Sequence, residues 1–200
     1  GTGSSLGALI ITLAHLRELK LFPTSPLTIS VVGGDCSEKA LEIYQSMLKR
    51  LQPVLDQNAI VLDLHLQIWD ATRSDQTAHL VDRWFELSKD AEEYFVVVSN
   101  FSGALIGAGL LNDFKPCLEH ILTRLHDKPS TLLWIEPSPS NDVQKKLIPK
   151  IKEFFVKRVS WFRHSSESSS SVSARYSIKN PINGYEHSSG VEVQRFNRIP

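Results

Sequence analysis

The spacing of apolar residues changes along the chain between the period of a helix and that of a strand. Leu6, Leu9, Ile10, Leu13 and Leu16 recur at helical intervals and predict a first helix over Leu6–Leu19, with Ser4 or Ser5 as N-cap. Phe22-Pro23-Thr24-Ser25-Pro26 breaks it. The apolar-rich run Leu27–Val32 predicts a buried strand that Gly33 and Gly34 end, and a helix from Ser37, its N-cap, to about Leu55 follows, with Pro53 in its final turn. Between Ile60 and Trp69 the pattern alternates strictly. Ile60, Leu62, Leu64, Leu66 and Ile68 interleave with Val61, Asp63, His65, Gln67 and Trp69, which predicts an edge strand with one wetter face carrying an exposed His65.

The same switching continues through a helix at about Asp75–Leu87, a buried strand at Tyr94–Val98, a glycine-bearing connection at Gly103, Gly107 and Gly109, and a helix at about Asn112–Leu125. Thr131–Ile135 is a further buried strand, ended by Glu136-Pro137, and Asp142 to about Trp161 a further helix. Ser165–Ser173 is nearly all serine and reads as a mobile loop. Val172–Ile178 and Val191–Phe196 read as strands whose connection, Asn180–Gly190, has no room for a crossover helix, so they must pair antiparallel. Alternating strands and helices predict an α/β fold of one domain over 1–200: a doubly wound, mostly parallel sheet with helices on both faces and a C-terminal antiparallel hairpin.

Composition narrows the function only slightly. Two cysteines, Cys36 and Cys117, with no CxxC spacing signal neither a disulfide framework nor a zinc site, so no metal is expected. Leu6–Leu16 is too short and too interrupted to span a bilayer and has no basic leader before it, so a cytoplasmic protein without a membrane partner is expected. The net charge is zero but uneven: from Lys145 onward eleven Lys or Arg face four acids, and the rest of the chain carries the opposite excess. That basic third suits an anionic partner such as RNA; Lys145, Lys146, Lys150, Lys152, Lys157 and Arg158 equally suit the solvated face of a helix.

The candidate chemistry gathers where strands end. An acid at a strand's carboxyl end can accept hydrogen bonds from both hydroxyls of a ribose, and Asp35 is so placed after Gly33-Gly34, with Cys36 next to it. Asp70, in Trp69-Asp70-Ala71-Thr72, occupies the corresponding place after the next strand. Each has a plainer role available, Asp35 as a helix-initiating acid and Asp70 as a turn residue.

The order of elements and acids resembles the class I S-adenosylmethionine-dependent methyltransferases, a Rossmann-like family, without its first strand. Gly1-Thr2-Gly3-Ser4-Ser5 resembles that family's glycine-rich loop, with Ser5 where a third glycine is common; Gly and Ser here also suit a remnant of cloning. The resemblance implies S-adenosylmethionine as cofactor: Gly1 and Gly3 beside its methionine part, Asp35 on the ribose, Cys36 against the adenine, Asp70 and the Ala71 amide on the adenine edge, and Ser99, of Ser99-Asn100, near the transferred methyl. No catalytic base is implied, and Ser99-Asn100-Phe101-Ser102 lacks the motif of the amino-nucleobase enzymes. The chain starts at the loop itself, so the central strand is expected from an upstream segment or another chain. The resemblance implies methyl transfer to an acceptor left open, RNA first, then a protein or small molecule. An inactive methyltransferase-like binding or scaffolding domain is the alternative. A nicotinamide-dependent oxidoreductase fits less well, because Gly1–Gly7 fails the GxGxxG spacing.

Overall fold

The computed structural model describes residues 3–99, 105, 107–137, 153–154, 157–159, 161–164, 171–179 and 182–198. They belong to two compact units, residues 1–91 and 92–200, each with its own sheet.

The N-terminal unit runs α1 (Ser4–Glu18), β1 (Leu27–Asp35), α2 (Glu38–Gln57), β2 (Ile60–Ile68) and α3 (Ser74–Leu87). β1 and β2 are parallel, in register from Leu27↔Ile60 to Asp35↔Ile68, and α2 is the crossover that parallel pairing requires. Leu6 and Ile10 of α1 are buried with Tyr44, Leu48 and Leu55 of α2 and Ile60 of β2, and Leu62, Leu64 and Leu66 pack on this cluster. The alternation read from β2 thus sets its inward face, while Val61 points out and is 58% exposed. β2 pairs with β1 alone among the described residues, as its wetter face predicts. His65 is half-buried rather than exposed, its Nε2 3.3 Å from Gln67 Oε1.

Two local expectations for β1 and α1 are corrected. Gly33 and Gly34 do not end β1; they stay in the ladder opposite Leu66 and Gln67. A Cβ on Gly33 would come within 2.6 Å of Leu66 Cδ2 and 3.0 Å of Tyr44 Cε1, and one on Gly34 within 2.8 Å of Trp69 Cβ and 2.9 Å of Leu80 Cδ1. The glycines are demanded by close packing. Successive strand residues point to opposite faces, so Tyr44 of α2 and Leu80 of α3 lie on opposite sides of β1, and this unit carries helices on both faces. The N-cap of α1 is Gly3, at φ 78, and not Ser4 or Ser5. The helix ends in a Schellman arrangement, the Leu21 amide donating to Leu16 O at 2.8 Å and the Lys20 amide to Arg17 O at 3.0 Å, with Lys20 at φ 59 where glycine is usual.

The C-terminal unit contains β3 (Tyr94–Ser99), α4 (Leu111–Thr123), β4 (Ser130–Pro137), β5 (Phe162–His164), β6 (Ser171–Lys179) and β7 (Glu186–Arg198). Its strand order is β3-β4-β7-β5, with β6 also on β7. β3 and β4 are parallel, whereas β7 runs antiparallel to β4, β5 and β6. The sheet is therefore mixed rather than mostly parallel. Phe114 of α4 meets Trp134 of β4 edge-on, ring centroids 6.1 Å apart, and Phe114, Leu118, Leu122, Trp134, Phe162 and Phe196 are buried.

The hairpin is longer than its apolar pattern predicts, pairing as far as Lys179↔Glu186, so Glu186–Gly190 belong to a strand. Ser171–Ser173 are paired with Gln194–Glu192 rather than in a loop, because backbone pairing is indifferent to the polarity of serine. The short strand β5 was not expected. Of the helix expected over Asp142–Trp161, Glu153, Phe154, Lys157 and Arg158 are helical, and Lys145, Lys146, Lys150 and Lys152 lie outside the described residues, as do 165–170 of the serine run. Among the described residues, no strand other than β2 pairs with β1 and none other than β4 with β3. No described helix is long and apolar enough to cross a membrane.

Candidate functional site

The carboxyl ends of β1 and β2 bring Asp35 and Asp70 onto neighbouring loops of the N-terminal unit. Parallel register puts Asp35 opposite Ile68, and the Trp69 amide donates to Asp35 O at 3.0 Å, joining the two loops directly. Asp35 is half-buried; its Oδ1 accepts from the Ser37 amide at 2.8 Å, while Ser37 Oγ accepts from the Ala40 amide at 3.3 Å as the N-cap of α2. Asp35 therefore ends β1 in the turn that leads to the Ser37 cap, and that turn fixes the direction of its carboxylate. Cys36 is exposed.

The Asp70 loop is held from several directions. Asp70 Oδ1 accepts from the Thr72 amide at 2.9 Å and from Thr72 Oγ1 at 2.7 Å. The Asp70 amide donates to Gln76 Oε1 at 2.7 Å, and Trp69 Nε1 to Thr77 Oγ1 at 3.1 Å. The bond from the Thr72 amide, then that from its hydroxyl, and more weakly the Arg73 charge hold the Asp70 carboxyl below its ordinary range. Ala71, a residue of this turn, is buried. A turn clamped by Thr72, Gln76 and Thr77 keeps an ionised acceptor at a fixed place, which a binding site requires of its groups. Sequence reasoning missed these supports; the Asp-x-Thr spacing of Asp70 and Thr72 was their one visible sign.

Gly3 caps α1 and, having no side chain, makes no side-chain cap bond to the first turn. Its missing Cβ is explained by Tyr44, whose ring lies where that atom would be, with Cγ 2.6 Å away and Cδ2 and Cε2 closer. Burial pushes the Tyr44 hydroxyl up to about 12, so it is neutral. Gly1 lies outside the described residues. Ser99 ends β3 of the C-terminal unit, half-buried and in register with Ile135, and Asn100 lies outside the described residues. In that unit Glu136 is buried at the end of β4 and accepts from Trp134 Nε1 at 3.0 Å, a satisfied carboxylate that sequence left as a strand end. Among the described residues no group of three metal-ligating side chains occurs.

Two carboxylates and a loop amide at Ala71 stand on adjoining loops, two acceptors beside one donor.

No protein-family model matches the chain, and no curated protein sequence does. Among solved structures, the chain is similar to PH1948 of Pyrococcus horikoshii, a candidate RNA methyltransferase, at 9% identity and a TM-score of 0.46 over 98% of this chain and 84% of that one. It is also similar to a protein solved in work on the conversion of a disulfide bond into a thioacetal group during echinomycin biosynthesis, at 11% identity and a TM-score of 0.45 over 94% and 81% of the two chains.

Proposed function

We propose that the protein is an S-adenosylmethionine-dependent methyltransferase whose N-terminal unit holds the nucleoside part of the cofactor. The observation that carries the reading is the pair of acids, Asp35 and Asp70, on adjoining loops at the carboxyl ends of two parallel strands, joined by the Trp69 amide on Asp35 O. In this reading Asp35 accepts from the ribose hydroxyls, Asp70 and the Ala71 amide meet the adenine edge beside Cys36, and Gly3 with the first turn of α1 receives the methionine carboxylate. When bound, the cofactor supplies a methyl group already activated on a sulfonium. The protein's part is to orient and to exclude water, which can contribute about 7–11 kcal/mol of barrier reduction without a nucleophile. RNA is the acceptor that the basic C-terminal third favours.

A second reading, a binding or scaffolding module on the same fold, gains support from one feature of the acids. Each accepts a local hydrogen bond, Asp35 from Ser37 and Asp70 from Thr72, so both also serve to build the turns in which they stand. Incubation with S-adenosylmethionine labelled in its methyl group, with total RNA and with total protein as acceptors, separates the two. Incorporation into either acceptor is expected of the enzyme. Cofactor binding without incorporation favours the scaffold, and absence of binding overturns the enzymatic reading.

A further inference from the structure

We propose that Tyr44 is the positioning residue of this site, its ring setting where the first turn of α1 stands relative to β1. The inference rests on the cofactor reading above. Tyr44 belongs to α2 and is 9% exposed. One side of its ring fills the place of a Cβ on Gly3; the other lies 3.0 Å from where a Cβ on Gly33 would stand. A flat, rigid group is thus wedged between the residue that caps α1 and the strand that ends in Asp35. Both neighbours lack side chains where the ring lies, and the ring occupies the space that those side chains would take.

Gly3 at φ 78 is held in a conformation that side-chain-bearing residues avoid, and its carbonyl accepts the first α1 bond, from the Gly7 amide at 3.0 Å. Gly3 itself brings no capping side chain, and the Tyr44 ring occupies the space beside it at the start of α1. The methionine half of the ligand depends on the amides of the first turn; the nucleoside half depends on Asp35 and Asp70. Tyr44 should consequently govern one half and not the other, a distinction that a residue of purely structural importance would not make.

The test compares S-adenosylmethionine with adenosine, which lacks the methionine half, by calorimetry on the wild type, Tyr44→Leu, Tyr44→Phe and Gly3→Ala. Tyr44→Leu is expected to weaken S-adenosylmethionine about tenfold or more, the size of one lost charge-assisted hydrogen bond, while changing adenosine no more than about threefold. Tyr44→Phe keeps the ring and should restore both affinities. Gly3→Ala, whose methyl would enter the ring, should repeat the selective loss, and it keeps the test open if Tyr44→Leu fails to fold. Equal weakening of both ligands, or none, in a folded Tyr44→Leu or Gly3→Ala overturns the inference and leaves the cofactor reading standing. Failure of the wild type to bind either ligand overturns the reading and the inference together.

Discussion

Arg17 shows how much a single residue can hide from sequence. It lies in the last turn of α1 with 6% of its surface exposed, Nη2 donates to Ser25 O at 2.7 Å, and its guanidinium stands 5.6 Å from the Phe22 ring centroid. Its Nε and Nη1 are buried with no partner among the described residues. An always-charged group with unsatisfied donors is costly, so Arg17→Met, which keeps an unbranched apolar stem, should raise stability to urea by about 1 kcal/mol or more; a comparable fall would contradict this. Helical spacing placed Leu13 and Leu16 inward, and nothing in it distinguished Arg17 from a solvated end of the helix. Tyr44 gives a second test. Its hydroxyl titrates near 12 in the fold against 10.0 for an unburied tyrosine, so stability is whole below pH 10 and is lost as pH rises toward 12. Relative to Tyr44→Phe the wild type should lose about 3 kcal/mol over that window, measured by urea unfolding. Asp70 works in the opposite sense. Its lowered pKa contributes stability above the ordinary value of 3.8 that is lost as pH falls through the lower folded value, so the difference between the wild type and Asp70→Asn should be level from neutrality to about pH 5 and shrink below 3.8.

At the level of elements, sequence was readable wherever one face of an element was buried and the other wet. β2 alternates because α2 covers Leu62, Leu64 and Leu66 while Val61 faces out, and α2 begins at the predicted cap, Ser37. The misreadings share one cause: backbone hydrogen bonds carry no hydrophobic signature. Gly33-Gly34 looked like a strand end, yet the ladder continues to Asp35 because the missing side chains admit Tyr44 and Leu80. Glu186–Gly190 looked like a connection and is a ladder with β6. The glycine claim is open to measurement. Gly34→Ala would set a methyl within 2.9 Å of Trp69 and Leu80, an overpacking expected to cost about 1–3 kcal/mol in thermal or urea unfolding. An unchanged midpoint would mean that Trp69 and Leu80 move aside freely. The supports of the Asp70 turn were illegible for a related reason, since Gln76 and Thr77 reach back from α3 to groups that only the fold makes neighbours.

For the molecule as a whole, the α/β class was legible and the pairing of strands in the C-terminal unit only in part. The antiparallel role of β7 followed from the short connection, whereas its central place between β4 and β5 depends on long-range pairing that no local pattern encodes. The basic excess from Lys145 onward is a property of the whole chain, and if it meets RNA, affinity should fall steeply with salt as counterions are released. Salt-independent affinity would leave those charges as solvated surface. The central claim is that Asp35 and Asp70 together hold a nucleoside, and its most direct test is calorimetric titration of S-adenosylmethionine into the wild type, Asp35→Ala and Asp70→Ala. Binding to the wild type and a loss of about 1.5–3 kcal/mol in each variant are expected, the scale of hydrogen bonds to a charged group; affinity unchanged in both variants, or no binding to the wild type, would rule out that role for the two acids.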